Sequence, residues 1–475
     1  MNWRFWRRKT RKRAFDAAKI NRLLNDWVTS SNSMDADIKS GLSVLRARSR
    51  DLCQNNDYGR RFLWLLASNV VGSAGIRMQA KTGDKAVDDE LERGWQNWSK
   101  YWNTTTDRRM GFNDLCRLAI QTVARDGEFI IVKKPGYNNA HRFALQVVEP
   151  DYLDHEYSDK NKNIKMGVEM NRYRAPRAYH FLTSNPAGMS AYIQGGKLRK
   201  RVPARLVEHL YIIDRAEQTR GYPWTATALK RLQMLGRYEE AEVVAARVGA
   251  AQMGFFTSPD GMGLPGDDKD DGGNLISEVS PGKFEQLPQG YDFKAFSPEH
   301  PTTAFDDFVK AILRGAASGL NVSYASLSNN LRDVNYSSLR HGAIEERDIY
   351  MMLQEWLVDH LCWPVYLSWL PMALSSGALD LPLADIDIYK KIRWQPRRWQ
   401  WVDPSKDVKA QAESVALKIK SRKQIILEQG NDPQEVFDQL ETESAMFPEE
   451  TTQGAKNHEQ DNQNRQDLQK LRTIA

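Results

Sequence analysis

Cysteine is scarce: Cys53, Cys116 and Cys362 stand far apart in 475 residues, with no CxxC pair among them. That spacing excludes a disulfide framework and a zinc module and, with no secretory leader, points to a reducing cytoplasm. Long apolar runs are missing too. The longest, FLWLLASNVVGSAGI, is interrupted by Ser68, Asn69, Gly72 and Ser73, and it falls short of the roughly 20 residues a bilayer span needs. No membrane segment is expected. The sequence also lacks a GxxxxGK[ST] phosphate loop, an HExxH pair and a GxSxG nucleophile elbow. Its eight histidines are scattered, none at metal-ligand spacing from another. No cofactor, metal or catalytic centre is expected.

Two near misses bear on that exclusion. DDKDDGGNLISE puts Asp267, Asp271, Gly272 and Glu278 at calcium-loop positions one, five, six and twelve. Lys269 takes position three, where a cation opposes the metal, so the segment reads as a solvated acidic loop. Asp306-Asp307 and Glu345-Glu346 suggest paired carboxylates. Adjacent residues on a helix diverge by about 100°, so neither pair can face one substrate. Both read as solvated faces or inter-subunit ion pairs.

Charge is nearly balanced at +6, too little for this length to indicate nucleic-acid binding. Its placement says more. Arg4, Arg7, Arg8, Lys9, Arg11, Lys12 and Arg13 crowd the N-terminus with Trp3, Phe5 and Trp6 and no acidic residue. A targeting peptide would be Ser-rich and lack this Trp-Arg alternation. A disordered basic arm drawn to acidic partners fits better.

Residues 13–122 read as helical from apolar spacing of three and four, as in DDELERGWQNWSKYW. EFIIVKK, FALQVVE, IKMGVEMN, AYHFLT and EHLYII then predict a meandering antiparallel sheet. Helical period returns at Pro223, with Leu229, Leu232, Leu235, Val243 and Ala246 on one face. A Gly/Pro/Asp-rich lobe with a short strand-like core follows, then a helix capped near Thr302 or Thr303. After GLNVSYASLSNNLRDVNYSSLRHG, a near-heptad pattern from Tyr336 predicts a long helix ending near Pro364. Three helices are expected after Asp403, with Ser421 and Gln424 as a capping box. The polar residues from about Pro448 read as a disordered tail.

Five segments in order resemble the portal proteins of tailed bacteriophages, in the lambda-type branch. They are RSRDLCQNNDYGRRFLWLLASNVVGSAGIRMQ, WQNWSK, EQTRGYPWTATALKRLQML, GLNVSYASLSNNLRDVNYSSLRHGAIEE and GNDPQEVFDQLETE, spanning about residues 40–445. The resemblance implies an α+β portal fold and a homo-oligomeric ring, typically of about twelve copies, at one capsid vertex. It implies a basic arm at 1–14, a wing at 15–222, a stem helix at 223–253 and a clip at 254–299. A second stem helix would follow at 300–320, a tunnel loop at 321–334 and a tunnel helix at 335–364. The chain would return to the wing at 365–402, form the crown at 403–447 and end in a tail at 448–475. The glycine at His341-Gly342 makes a kink in the tunnel helix as plausible as a straight rod.

Double-stranded DNA, bound without sequence preference, would then face Ser328, Asn329, Asn330, Arg332 and Asp333. These make a nearly neutral surface, suited to sliding because each neutralised phosphate adds affinity and would stall translocation. Asp260, Asp267, Asp268, Asp270 and Asp271 would form an acidic collar for partner docking, multiplied by the ring. Terminase large subunit, a head–tail adaptor, and major capsid and scaffold proteins are the implied partners, in the virion and in host cytoplasm during assembly. A head–tail adaptor is a competing reading, but adaptors are shorter. A DNA-processing enzyme would need clustered carboxylates or metal ligands.

Overall fold

The computed structural model describes residues 31–184, 198–250, 254–257, 292–295, 305–332, 336–399, 404–429 and 431–446. The basic arm, the five clip aspartates, the calcium-like segment, Thr302, Thr303, Asp333, Asp403 and residues 447–475 lie outside them.

Helices open the described chain. Ser33 caps α1 (Met34–Asn55) by accepting from the Ala36 amide, and Asp35 and Asp37 sit in its first turn, where the helix dipole favours them. Ile38, Leu42, Ser49, Leu52 and Cys53 form its buried face; Arg46 is buried among them. Asn56 ends α1 and caps α2 (Asp57–Leu66), accepting from Tyr58 and Gly59. A π turn, Ala67–Val71, leads to Gly72 at φ +76°, where a Cβ would lie 2.7 Å from the Arg397 Cδ. β1 (Arg77–Ala80) interrupts the region expected to be wholly helical, because four residues are too few to show a period of two. α3 (Lys85–Trp98), α4 (Tyr101–Thr104) and α5 (Phe112–Asp126) follow.

The sheet expected as one meander is two. β2 (Phe129–Pro135) pairs with β3 (Phe143–Val148) on one side. β4 (Ile164–Lys165), β5 (Val168–Met170), β6 (Pro176–Leu182) and β7 (Arg199–Pro203) make a separate antiparallel meander. β8 (Val207–Leu210) then returns to the other side of β2, with Ile131 opposite Glu208. IKMGVEMN is itself the β4–β5 hairpin. β7, RKRVP, carries no apolar alternation and is invisible to the pattern.

α6 (Leu229–Ala250) starts later than Pro223 implies, since Trp224–Thr227 is a 3-10 turn pinned where the Thr225 hydroxyl donates to Ser49 Oγ at 2.7 Å. Leu232 and Leu235 are buried but Val243 is exposed, so only the first half of its apolar face is covered. β9 (Gly254–Thr257) pairs antiparallel with β10 (Asp292–Ala295). α7 (Phe305–Gly319) packs on α6 and buries Leu313, Ala316 and Ala317. After α8 (Tyr324–Ser328) comes α9 (Tyr336–Leu357), unbroken through Gly342.

Pro364 does not end that helix. A π turn, Val358–Cys362, carries it into α10 (Trp363–Ser375), where the Trp363 amide bonds the Val358 carbonyl five residues back. The wider turn loosens the ladder where the prolyl ring would otherwise clash, and Pro364 sits in the first turn of α10. Beyond α11 (Ile386–Tyr389), β11 (Ile392–Gln395) pairs with β1, Met78 opposite Trp394. α12 (Pro404–Ala416), α13 (Arg422–Glu428) and α14 (Pro433–Met446) follow. Ser421 caps α13 through the Gln424 amide, but the Gln424 side chain turns to Glu428, so the expected box is half formed.

One aromatic cluster joins these distant segments. The Trp95 ring lies 4.9 Å from Trp98, 5.0 Å from Phe112, 5.2 Å from Trp369 and 5.4 Å from Trp394. Most contacts are edge-to-face or tilted, the arrangement aromatic quadrupoles favour. It explains WQNWSK: the two indoles, three residues apart, share the buried face of α3.

Candidate functional site

The stretch 319–332 is built rather than slack. Thr227 donates to the Gly319 carbonyl at 2.9 Å, and Asn321 takes φ +55° to turn the chain out of α7. Ser323 then caps α8, accepting from the Ser326 amide at 3.1 Å. Leu327 is buried and anchors the turn to the main core. Asn329 ends α8 in the left-handed region at φ +55°, a conformation asparagine tolerates.

Glu346, from α9, holds this turn from below. Its carboxylate accepts from the Ser323 amide at 3.2 Å, the Ser326 hydroxyl at 2.8 Å and the Tyr350 hydroxyl at 2.9 Å. The Glu345-Glu346 pair is therefore not a solvated face: Glu345 is exposed, while Glu346 is buried as an acceptor. Burial, with the Glu346 carboxylate beside it, pushes the Tyr350 phenol up, so it stays a donor. Arg61, from α2, donates to the Ser326 carbonyl at 3.2 Å, and Arg314 lies 5.5 Å over the Tyr324 ring.

Of the five residues expected to face DNA, Asp333 lies outside the described residues and the other four divide. Asn329 and Arg332 are exposed. Ser328 and Asn330 are half-buried and locally engaged: Ser328 Oγ donates to the Tyr324 carbonyl at 2.7 Å, and Asn330 Oδ1 accepts from the Arg332 amide at 3.0 Å. Leu331, unassigned by pattern, is 59% exposed. The displayed tip is thus an amide, an aliphatic side chain and one guanidinium.

A second cluster escapes sequence reading. The Glu128 carboxylate is fully buried between two guanidinium groups: Arg46 donates to it at 3.0 Å, and Arg220 donates through Nε at 2.8 Å. Arg46 also reaches Asp151 at 2.7 Å and the Asp126 carbonyl at 3.0 Å; Arg220 also reaches the Met166 carbonyl at 2.8 Å. His209 Nε2 lies 2.9 Å from Glu128 and must carry the proton, since a carboxylate only accepts. Burial alone would raise the Glu128 carboxyl, but Arg220, then His209, hold it well below the carboxylate range. Burial pushes His209 down despite its partner, leaving a neutral imidazole. The cluster ties α1, β2, β8 and the turn at 150–153 together, sealed from solvent. It is a brace. Among the described residues, no three His, Cys, Asp or Glu side chains gather as metal ligands would.

With this geometry, residues 21–354 match the family described as "Phage portal protein, lambda family". The chain belongs to that family. It is 34% identical over 453 residues to the "Probable portal protein" of Halomonas phage phiHAP-1, covering 92% of this chain and 87% of the relative. It is 21% identical over 466 residues to the "Portal protein" of Escherichia phage N15, covering 89% and 87%. Among solved structures, a chain of "Neck of native GTA particle computed with C12 symmetry" matches with TM-score 0.48 and 13% identity, over 83% of this chain and 99% of that one. Portal proteins are structural phage components, so this one is not placed among enzymes.

Two of the portal-like segments build the brace or the contacts beside it. In EQTRGYPW, Thr219 bonds Asp35 through amide and hydroxyl at 2.8 Å, and Arg220 enters the Glu128 site. Gly221 abuts Gly127, whose carbonyl would lie 1.9 Å from a Cβ. In RSRDLCQ, Ser49 receives Thr225 and Arg50 meets Asp126 at 2.9 Å. The signal available in sequence was Arg46, a charge standing on the apolar row of α1.

Proposed function

We propose that this chain assembles into a closed ring of about twelve copies at one capsid vertex, by the cyclic symmetry usual for homo-oligomers. The ring conducts DNA during packaging and ejection and offers a docking platform to terminase and head–tail connector proteins, first in host cytoplasm and then in the virion. The observation that carries this reading is membership in the portal family over most of the chain. ATP hydrolysis belongs to the separate terminase.

Within the ring, residues 15–222 and 365–402 form the wing, a division supported by the β1–β11 pairing between them. Residues 223–253 and 300–320 form the stem, 254–299 the clip and 403–447 the crown. The tip at Asn329, Leu331 and Arg332 faces DNA: one cation among neutral groups limits the affinity that would stall a moving duplex. The clip aspartates and the basic arm are surfaces for basic and acidic partners respectively. Electron microscopy of the purified full chain tests the assembly: closed rings with a central hole are expected. A monodisperse monomer with metal-dependent nuclease activity would overturn it.

A further inference from the structure

The two sheets do not close on each other at one end. Between the ends of β2 and β3 on one side, and of β6 and β7 on the other, lies a cleft of about 750 Å3. Its floor is apolar, made by Val132, Val148, Tyr152, Phe181, Val202 and Leu206. This floor continues the hydrophobic cluster that Ile130, Leu153 and Tyr179 form between the sheets.

Four cations and one carboxylate, Glu149, border the cleft; Glu149 is turned to Arg50 at 3.5 Å, and two of the cations are already engaged. Lys133 reaches Glu208 at 2.7 Å, and Arg201 pairs with Glu169 at 2.7 Å. Lys134 and Lys200 have no carboxylate partner among the described residues. Burial, then the nearby Lys200, pushes the Lys134 amine below its ordinary range, as expected for cations left facing each other. An occupant with an apolar tip and two carboxylates would relieve both conditions.

The same chain displays such a tip. Between α10 and β11, Gly377 at φ +74° turns the backbone into ALDLPLADIDIY. Leu383 is 56% exposed and stands between exposed Asp380 and Asp385. Neither aspartate has a cationic partner among the described residues, whereas Asp387 is taken by Lys390 at 2.6 Å. Pro382 and the 3-10 turn Leu383–Asp385 preset the tip, which lowers the ordering cost of docking.

We propose that the cleft receives this knob from an adjacent copy of the chain. Leu383 covers the apolar floor, and Asp380 and Asp385 meet Lys134 and Lys200. Two different surfaces join, so the contact is head-to-tail, the type that closes into rings. The charge pairs set register and exclude misaligned docking. The inference rests on the ring reading above and gives it one specific interface.

Charge reversal in the full chain tests it. One variant carries Lys134→Glu with Lys200→Glu, a second Asp380→Lys with Asp385→Lys, and a third all four. Light scattering and electron microscopy read ring yield. Each double variant is expected to lower ring yield roughly tenfold, and the fourfold variant to restore it, which also shows that the altered surfaces fold. Double variants that assemble like the parent, or a fourfold variant that stays dissociated, would overturn the interface while leaving the ring. A parent chain that never forms rings would overturn the ring reading and the interface with it.

Discussion

Arg220 carries one of the largest single-residue burdens in the molecule. Its guanidinium is fully buried and satisfies Glu128 and the carbonyls of Leu153 and Met166 at once. Arg220→Met should therefore strand part of a buried carboxylate and destabilise the fold by about 3–5 kcal/mol, read by urea denaturation. A loss below about 1 kcal/mol would mean that Arg46 and His209 neutralise Glu128 unaided. His141 makes a second residue-scale case. It is buried 5.9 Å from the Trp369 ring, its Nδ1 has no partner, and burial pushes its pKa down to about 4. Between about pH 6.5 and 4 the unfolded chain binds a proton that the folded chain refuses, so stability falls as pH drops through that window. His141→Gln should lessen this loss by about 2 kcal/mol at pH 4, compared by thermal unfolding at pH 7 and pH 4. Parallel curves for parent and variant would show that the imidazole protonates freely in the fold.

At the scale of elements, α8 is too short to persist alone, because helix nucleation is costly and five residues recover little of it. Ser323 and Glu346 supply what propagation cannot. Deleting Ser328 to Asp333 removes the exposed tip and the last residue of α8 but leaves Leu327 and Glu346 in place. Rings should still form, while DNA packaging or retention, measured in an in vitro packaging assay, should drop. Failure to assemble would make the tip a structural part rather than a DNA-facing one. The α9–α10 junction follows similar logic: a local proline signal is overridden because α10 is buried through Val365, Tyr366, Trp369 and Leu370.

For the molecule as a whole, two charge pairs among the described residues link the proposed crown to the body, Lys81–Asp432 at 3.1 Å and Lys85–Asp438 at 2.8 Å. The Asp438 hydrogen bond raises Lys85, and Lys85 lowers Asp438, as expected of mutual stabilisation. Both lysines are well exposed, so salt screens the pairs. Lys81→Ala with Lys85→Ala should make α12–α14 sensitive to limited proteolysis without shifting the main thermal transition. The parent should approach that sensitivity near 1 M salt, where the Debye length falls to about 3 Å. Cleavage that depends on neither the lysines nor salt would show that other contacts hold these helices.

Local chemistry alone already specified much of this. Caps at Ser33, Asn56, Ser323 and Ser421, the helical rows around Trp95 and Trp98, and the apolar runs of β2, β3, β6 and β8 all act within a few residues. Such signals need no partner from elsewhere in the chain. The near-neutral character of 328–332 was equally legible, because composition survives folding. Tertiary structure alone decided which members of a pattern meet. It separated Glu346 from Glu345, engaged Ser328 and Asn330 while exposing Asn329 and Arg332, split the strands into two sheets and carried a helix past Pro364. It also turned Arg46, Glu128, His209 and Arg220 into one brace. A period of 3.6 or 2 tells which face a residue shares, but what that face meets is set by packing between segments far apart in the chain.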